Sequence, residues 1–284
     1  MRVTALATPT SSRIILVLTA VLGLLAFTWP LLLNPGTQAD YESRAPFLLA
    51  GVLALGVVIL LSDLGSAGID AKALAMLGVL TACGAALRPL SAGTAGIEFI
   101  FLLIILGGRV FGAGMGFLLG ATTFLTSAVL TAGFGPWLPY QMVAAGFVGL
   151  GAGLLPRLSG WAETVMLAGY GFVTAFGYGW LMDFAFWPFS LGLSTSISYS
   201  AQASIGTNLK HFVMFNIATS MAWNLGRALT NVVLITLLGQ PIMRVLRRAA
   251  RKASWGSAPA RPADPDARHA RSGQVTRENF RIQE

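Results

Sequence analysis

The chain has 284 residues, 55% of them hydrophobic and only 11% charged, with a mean hydropathy of +0.71. Soluble globular domains carry roughly a quarter charged residues, so this composition excludes an ordinary soluble domain and predicts an all-α, polytopic membrane bundle. The formal charge of +8 does not signal nucleic acid, because Lys and Arg gather at the edges of apolar runs and in the C-terminal tail.

Eight membrane helices are predicted, over residues 14–33, 46–62, 72–88, 95–108, 110–131, 138–155, 161–183 and 211–239. The first run is too long for a signal-peptide core and no A-x-A site follows it, so it is expected to be retained. The third and fourth are short for a span of about 20 residues and should tilt little or be shielded by neighbours. Turn chemistry fills the breaks: "NPGTQADYES" at 34–43, "SDLGSAGID" at 62–70, "RPLSAGTAG" at 88–96 and "LPRLSG" at 155–160. Residues 244–284 open with "RVLRRAARK", lack apolar periodicity and are expected to form a basic, disordered tail. This divides the chain into two N-terminal helices (1–70), a six-helix core (71–243) and the tail (244–284).

Orientation follows from the basic residues. With both termini cytoplasmic, the inner side holds Arg2, Arg13, Lys72, Arg109, Arg157 and the Arg244–Lys252 cluster, whereas the outer side holds only Arg44, Arg88 and Lys210. A multi-pass protein of the plasma membrane is expected, with 88–96, 133–142 and 184–210 facing outward.

Several patterns stand out against this apolar background. Gly108, Gly112, Gly116 and Gly120 recur every four residues and run on to Thr123 and Ser127, a stripe that admits a close neighbouring backbone. Ala71, Ala75, Gly78, Ala82 and Ala86 form a second small-residue face, suited to packing within the chain or to a reversible docking partner. On the last helix Asn216, Ser220, Trp223, Asn224, Arg227 and Asn231 share a polar face. Arg227 falls near mid-span, where a guanidinium must meet carbonyls and a carboxylate such as Glu98, or line a wet cavity.

The outward segments carry the remaining chemistry. "GFGPWLPYQM" (133–142) combines stiffening Pro136 and Pro139 with Trp137, Tyr140 and Gln141; two aromatics and an amide could form a ligand wall or simply anchor an interfacial turn. Tyr178, Trp180, Asp183 and Trp187 approach the same surface, alongside Arg88. Rings with a few hydrogen-bonding groups suit a planar or ring-bearing polar ligand. Cys83 is the single cysteine and His211 and His269 are isolated, so no disulfide or metal site is expected. No P-loop, H-E-x-x-H or G-x-S-x-G motif occurs, so uphill transport would need an ion gradient or a partner ATPase.

The segments "GRVFGAGMGFLLGATTFLTSAVLTAGFGPWLPYQMVAAGFVGLGAGLLP" (108–156), "YGFVTAFGYGWLMDF" (170–184) and "NLGRALTNVVLITLLGQPI" (224–242), in that order, resemble the substrate-binding S component of energy-coupling factor (ECF) transporters. The similarity is greatest to the branch with a Gly-Pro-Trp-x-Pro-x-Gln-Met segment, and it covers about 70–245. It implies a six-helix core that captures a vitamin or related micronutrient outside, then topples against a transmembrane coupling (T) subunit and two cytosolic ATPases. ATP would be used by those partners, with no cofactor bound permanently to this chain and no enzymatic activity. The family's docking face corresponds to Ala71, Ala75, Gly78, Ala82 and Ala86, and its binding loops to 88–97, 132–141 and 184–224. The two N-terminal helices and the long basic tail depart from the family pattern.

The expected ligand set is therefore Arg88, Glu98, Trp137, Tyr140, Gln141, Asp183, Trp187, Asn216, Trp223, Asn224 and Arg227. An autonomous secondary transporter of a small ring-bearing solute is the alternative; inverted repeats or several midplane carboxylates would favour it, and neither is evident. A membrane enzyme would have to work with Asp183, Glu98 and Arg227, which form no His or carboxylate cluster in the sequence.

Overall fold

The computed structural model describes residues 10–28, 51, 54, 56, 71–91, 94–190, 195–200 and 202–254, and their regular structure is entirely helical. The helices are α1 (Thr10–Phe27), α2 (Ala71–Ser91), α3 (Ile100–Phe111), α4 (Ala113–Thr131), α5 (Trp137–Leu154), α6 (Gly160–Ser190), α7 (Ile205–Thr219) and α8 (Met221–Ser254). Nearly all of the helix expected over 46–62 lies outside the described residues, as do the breaks at 34–43 and 62–70 and the tail beyond 254. Among the described residues, four helical segments are long and apolar enough to cross a membrane: Lys72–Ser91, Ala113–Thr131, Gly160–Pro188 and Met221–Arg251.

The core forms where α3 is enclosed by α4, α5 and α8. Its sequence, "IFLLIILGGRVF", is apolar around the whole circumference, and such a helix must be surrounded. Ile104, Ile105 and Leu106 are fully buried. At about 1.5 Å per residue its 12 residues fall well short of a bilayer, so its neighbours supply the shielding that its length requires.

Glycine spacing sets the closest helix contacts. A Cβ at Gly108 or Gly116 would strike the carbonyl of Gly149, and one at Gly120 would strike that of Ala145. The glycine stripe is thus a packing device, with α5 lying directly on it. It does not sit on one helix, however. Gly112 takes φ 97°, a left-handed conformation that glycine permits, and there α3 ends and α4 begins.

Helix ends depart from the sequence reading in a consistent direction. α2 continues past Pro89 to Ser91, α6 past Asp183 to Ser190, and α8 past Pro241 to Ser254. The stretch 244–254, expected to be disordered, is therefore helical. Its anchor is Glu163, fully buried, which accepts from Arg109 Nε at 2.7 Å and from Arg247 Nη2 at 2.6 and 2.8 Å. Gln240 adds bonds to the Gly160 carbonyl and the Thr164 hydroxyl, fastening α8 to the start of α6 beside Pro241. Conversely, the helix expected over 211–239 is two helices. They meet at Ser220, whose N–H still donates to the Asn216 carbonyl while Asn224 N–H donates to Ser220.

The small-residue face of α2 points away from the described helices. Ala75, Gly78, Ala82 and Ala86 are exposed, as is Cys83, while the side chain of Ala71 lies outside the description. The other face of α2 meets α4, through a 2.8 Å Thr81–Thr122 hydrogen bond and close approach of Gly84 to Thr123.

Candidate functional site

The C-terminal ends of α2 and α6 share one end of the bundle with the N-terminal ends of α3, α5 and α8. A cavity of about 440 Å³ opens there. Its size lies within the range of small-molecule sites, roughly 300–1,000 Å³. It gathers four charged side chains: Arg88, Glu98, Asp183 and Arg227.

The loop between α2 and α3 builds one side. Ala95 and Gly96 adopt positive φ (47° and 78°), which turns the chain onto the start of α8. A Cβ at Gly96 would collide with the Trp223 carbonyl, and one at Gly226 with the Ala95 carbonyl. Ser91 Oγ accepts from the Phe99 N–H at 3.2 Å, tying the end of the loop to α2. This contact brings Glu98 to Arg227.

Arg227 is buried and held by both terminal nitrogens, while its Nε is left without a partner. Its Nη2 donates to Glu98 Oε1 at 2.9 Å, and its Nη1 donates to Asn224 Oδ1 at 2.9 Å and to the Ala175 carbonyl at 3.2 Å. The guanidinium also lies 5.1 Å from the Tyr178 ring centroid and 5.8 Å from that of Phe101. A desolvated guanidinium is retained only with such partners.

Arg88 is held differently. Its guanidinium sits 4.7 Å from the centroid of Phe124 and donates to Ser127 Oγ at 3.4 Å and to Gln141 Oε1 at 3.3 Å. Phe124 and Tyr178 are 5.9 Å apart, so the two arginines cover adjoining rings of one aromatic floor. Asp183 accepts from Asn216 Nδ2 at 2.5 Å, which binds α6 to the end of α7.

No family model, curated protein or solved structure matches the chain. The cavity must therefore be read from its own chemistry.

Of the ligand set expected from the sequence, Arg88, Glu98, Gln141, Asp183, Trp223, Asn224 and Arg227 line the cavity. Asn216 stands behind Asp183 as its hydrogen-bond donor. Three aromatics lie elsewhere. Trp137 is 45% exposed at the start of α5. Tyr140 is fully buried, packed edge-on against Phe27 and Phe186 with ring centroids 5.2 and 5.1 Å away. Trp187 is also buried; its Nε1 donates to the Ile197 carbonyl at 2.9 Å and its ring meets Tyr199 and Phe212.

The prolines of 133–142 act as N-terminal punctuation for α5. Pro136 precedes its first residue and Pro139 occupies its first turn, where no N–H is needed. Their effect on the cavity is to place Gln141 against Arg88.

Other lining groups come from helix pairs that no local pattern reveals. Gly179 lets α6 press against the Asn224 side chain, Met182 follows one turn later, and the α7–α8 junction presents Thr219 and Ser220. Phe124 lies three residues before Ser127, beside a stripe that the sequence marked only for close packing.

The exposures of the aromatics decide which ring a ligand can meet. Phe124 and Tyr178 are buried beneath the arginines, whereas Trp223 keeps 42% of its surface. Trp223→Ala is expected to weaken ligand binding by at least about 1 kcal/mol, the scale of a lost aromatic contact. Trp137→Ala, on the same scale, should leave binding unchanged. Titration of both variants in detergent checks this, and the reverse pattern would move the site to the α5 turn.

Proposed function

We propose that this chain is the substrate-specificity subunit of an ATP-driven importer of the ECF type, a plasma-membrane protein that captures a vitamin-like, ring-bearing solute. The cavity carries this reading: four charged side chains, Gln141, Asn224 and a half-exposed Trp223 converge at one end of an apolar bundle. That end holds Arg88 and Gln141, which the Lys/Arg bias assigns to the outside. In this reading α2–α8 form the S-component-like core, α1 and the segment around 46–62 are the additional N-terminal helices, and both termini are cytoplasmic.

Delivery would run through the outward small-residue face of α2. A surface of Ala and Gly lets another helix come close without interlocking side chains, so it can dock and release. A coupling subunit with two ATPases would use it, supplying the energy for which this chain has no nucleotide motif.

The test is uptake in vesicles containing the coupling subunit and ATPases. Ala75→Leu and Ala82→Leu are expected to abolish ATP-dependent uptake while ligand affinity of the isolated chain stays within about twofold, the scale of an undisturbed distant site. Loss of binding in parallel with uptake would instead make this face part of the subunit's own packing. Ion-driven uptake by the chain alone would establish an autonomous secondary transporter and overturn the proposal.

A further inference from the structure

The four charged groups in the cavity do not pair off two by two. Arg227 and Glu98 form a salt bridge at 2.9 Å and cancel. Arg88 meets only the neutral oxygens of Ser127 and Gln141, at 3.4 and 3.3 Å, and forms no ion pair among the described residues. Asp183 accepts from two neutral groups, the Asn216 amide and the Ser220 hydroxyl, and forms no ion pair among the described residues either. One cation, on α2, and one carboxylate, on α6, thus line the same cavity, each without a counter-ion in contact among the described residues. Partly desolvated charges of this kind are costly unless a partner meets them.

A third group points the same way. Asn224 is 2% exposed, and its Oδ1 accepts from Arg227 at 2.9 Å. Since guanidinium only donates, the amide orientation is fixed, and Asn224 Nδ2 is left as a buried donor without a partner. Leaving such a donor unmet is expensive, so it favours a ligand acceptor.

We infer that the cavity selects a zwitterionic, ring-bearing small molecule: its anionic group pairs with Arg88, its protonated nitrogen with Asp183, and an acceptor atom takes the Asn224 amide. Trp223 supplies the apolar surface for the ring. A neutral ligand leaves both protein charges unmatched and a singly charged ligand leaves one, so zwitterions are preferred over all three other charge classes. This inference rests on the cavity being a capture site.

The experiment is a thermal-shift screen of the full chain in mild detergent. Ring-bearing metabolites are sorted into zwitterions, anions, cations and neutral compounds, with charge-deleted analogues of each zwitterion included. The expected result is that the strongest stabilisers are zwitterions. Arg88→Gln should weaken such a hit about tenfold or more, the effect of losing one charge-assisted bond, and make its analogue without the anionic group the better ligand. Asp183→Asn should do the same in favour of the analogue without the protonated nitrogen. Retained binding of the matching analogue also shows that each variant is folded. Strongest hits that are neutral or singly charged would overturn the zwitterion inference while leaving the capture site standing. No stabilisation by any class would overturn both.

Discussion

Glu98→Gln is expected to destabilise the detergent-solubilised protein by on the order of 3 kcal/mol, the scale of breaking a buried ion pair. The Arg227 guanidinium is 5% exposed and would keep only neutral partners, Asn224 Oδ1 and the Ala175 carbonyl. Glu98 keeps 23% of its side chain exposed at the cavity, so water replaces the lost carboxylate only in part. The double variant Glu98→Gln/Arg227→Met removes the orphaned charge and should recover most of the lost stability, because paired removal of buried ions is often close to neutral. Chemical or thermal unfolding of the three proteins in one detergent measures both effects. A loss below about 1 kcal/mol for Glu98→Gln would assign the pair the weight of a surface bridge.

A comparable loss is expected at the opposite end of the bundle. Glu163 has 1% of its side chain exposed and satisfies two arginines, one from α3 and one from α8. Glu163→Gln should cost about 3 kcal/mol by the same reasoning. It should also loosen the last turns of α8, which Arg247 fastens to α6. Limited trypsinolysis reads this directly, with faster cleavage at Arg244, Arg247, Arg248 and Arg251 than in the wild type. Arg247→Ala should have a smaller effect, since Arg247 is 36% exposed and Glu163 retains Arg109. Equal proteolysis of Glu163→Gln and wild type would show that apolar packing alone holds the end of α8.

The helices were legible in the sequence because apolar runs of span length have few other readings, and the close α4–α5 contact was legible in the glycine spacing. The ends were harder to place. The helices expected to end at 88 and 239 both continue, past Pro89 and Pro241, the latter where Gln240 and Arg247 bind the start of α6. The basic run at 244–254 was read as tail because it lacks apolar periodicity. Nothing local says that Glu163, some 80 positions earlier, waits for Arg247.

The candidate site shows the same division. Pairing with a carboxylate such as Glu98 was one of two readings of the mid-span Arg227, the other being a wet cavity, and the structure shows both. Arg88, Gln141 and Asp183 shared a predicted side of the membrane, and the structure brings all three to one cavity. Membrane side alone cannot say which aromatic turns inward. Trp137, Tyr140 and Trp187 were singled out as outward aromatics, yet they fill a helix start, the α1–α5–α6 core and the pocket behind 195–200, whereas Trp223, singled out on the polar face of the last helix, lines the cavity. Rotation about each helix axis decides that, and it is fixed by packing partners far along the chain.

Native mass spectrometry of the full chain, released from detergent after expression in rich medium, most directly tests whether the cavity is a capture site. A single ring-bearing small molecule bound one to one to the wild type, and absent or strongly depleted in a folded Trp223→Ala variant, is the expected result. A folded wild type that carries no small molecule, or a bound molecule retained equally by Trp223→Ala, would contradict it.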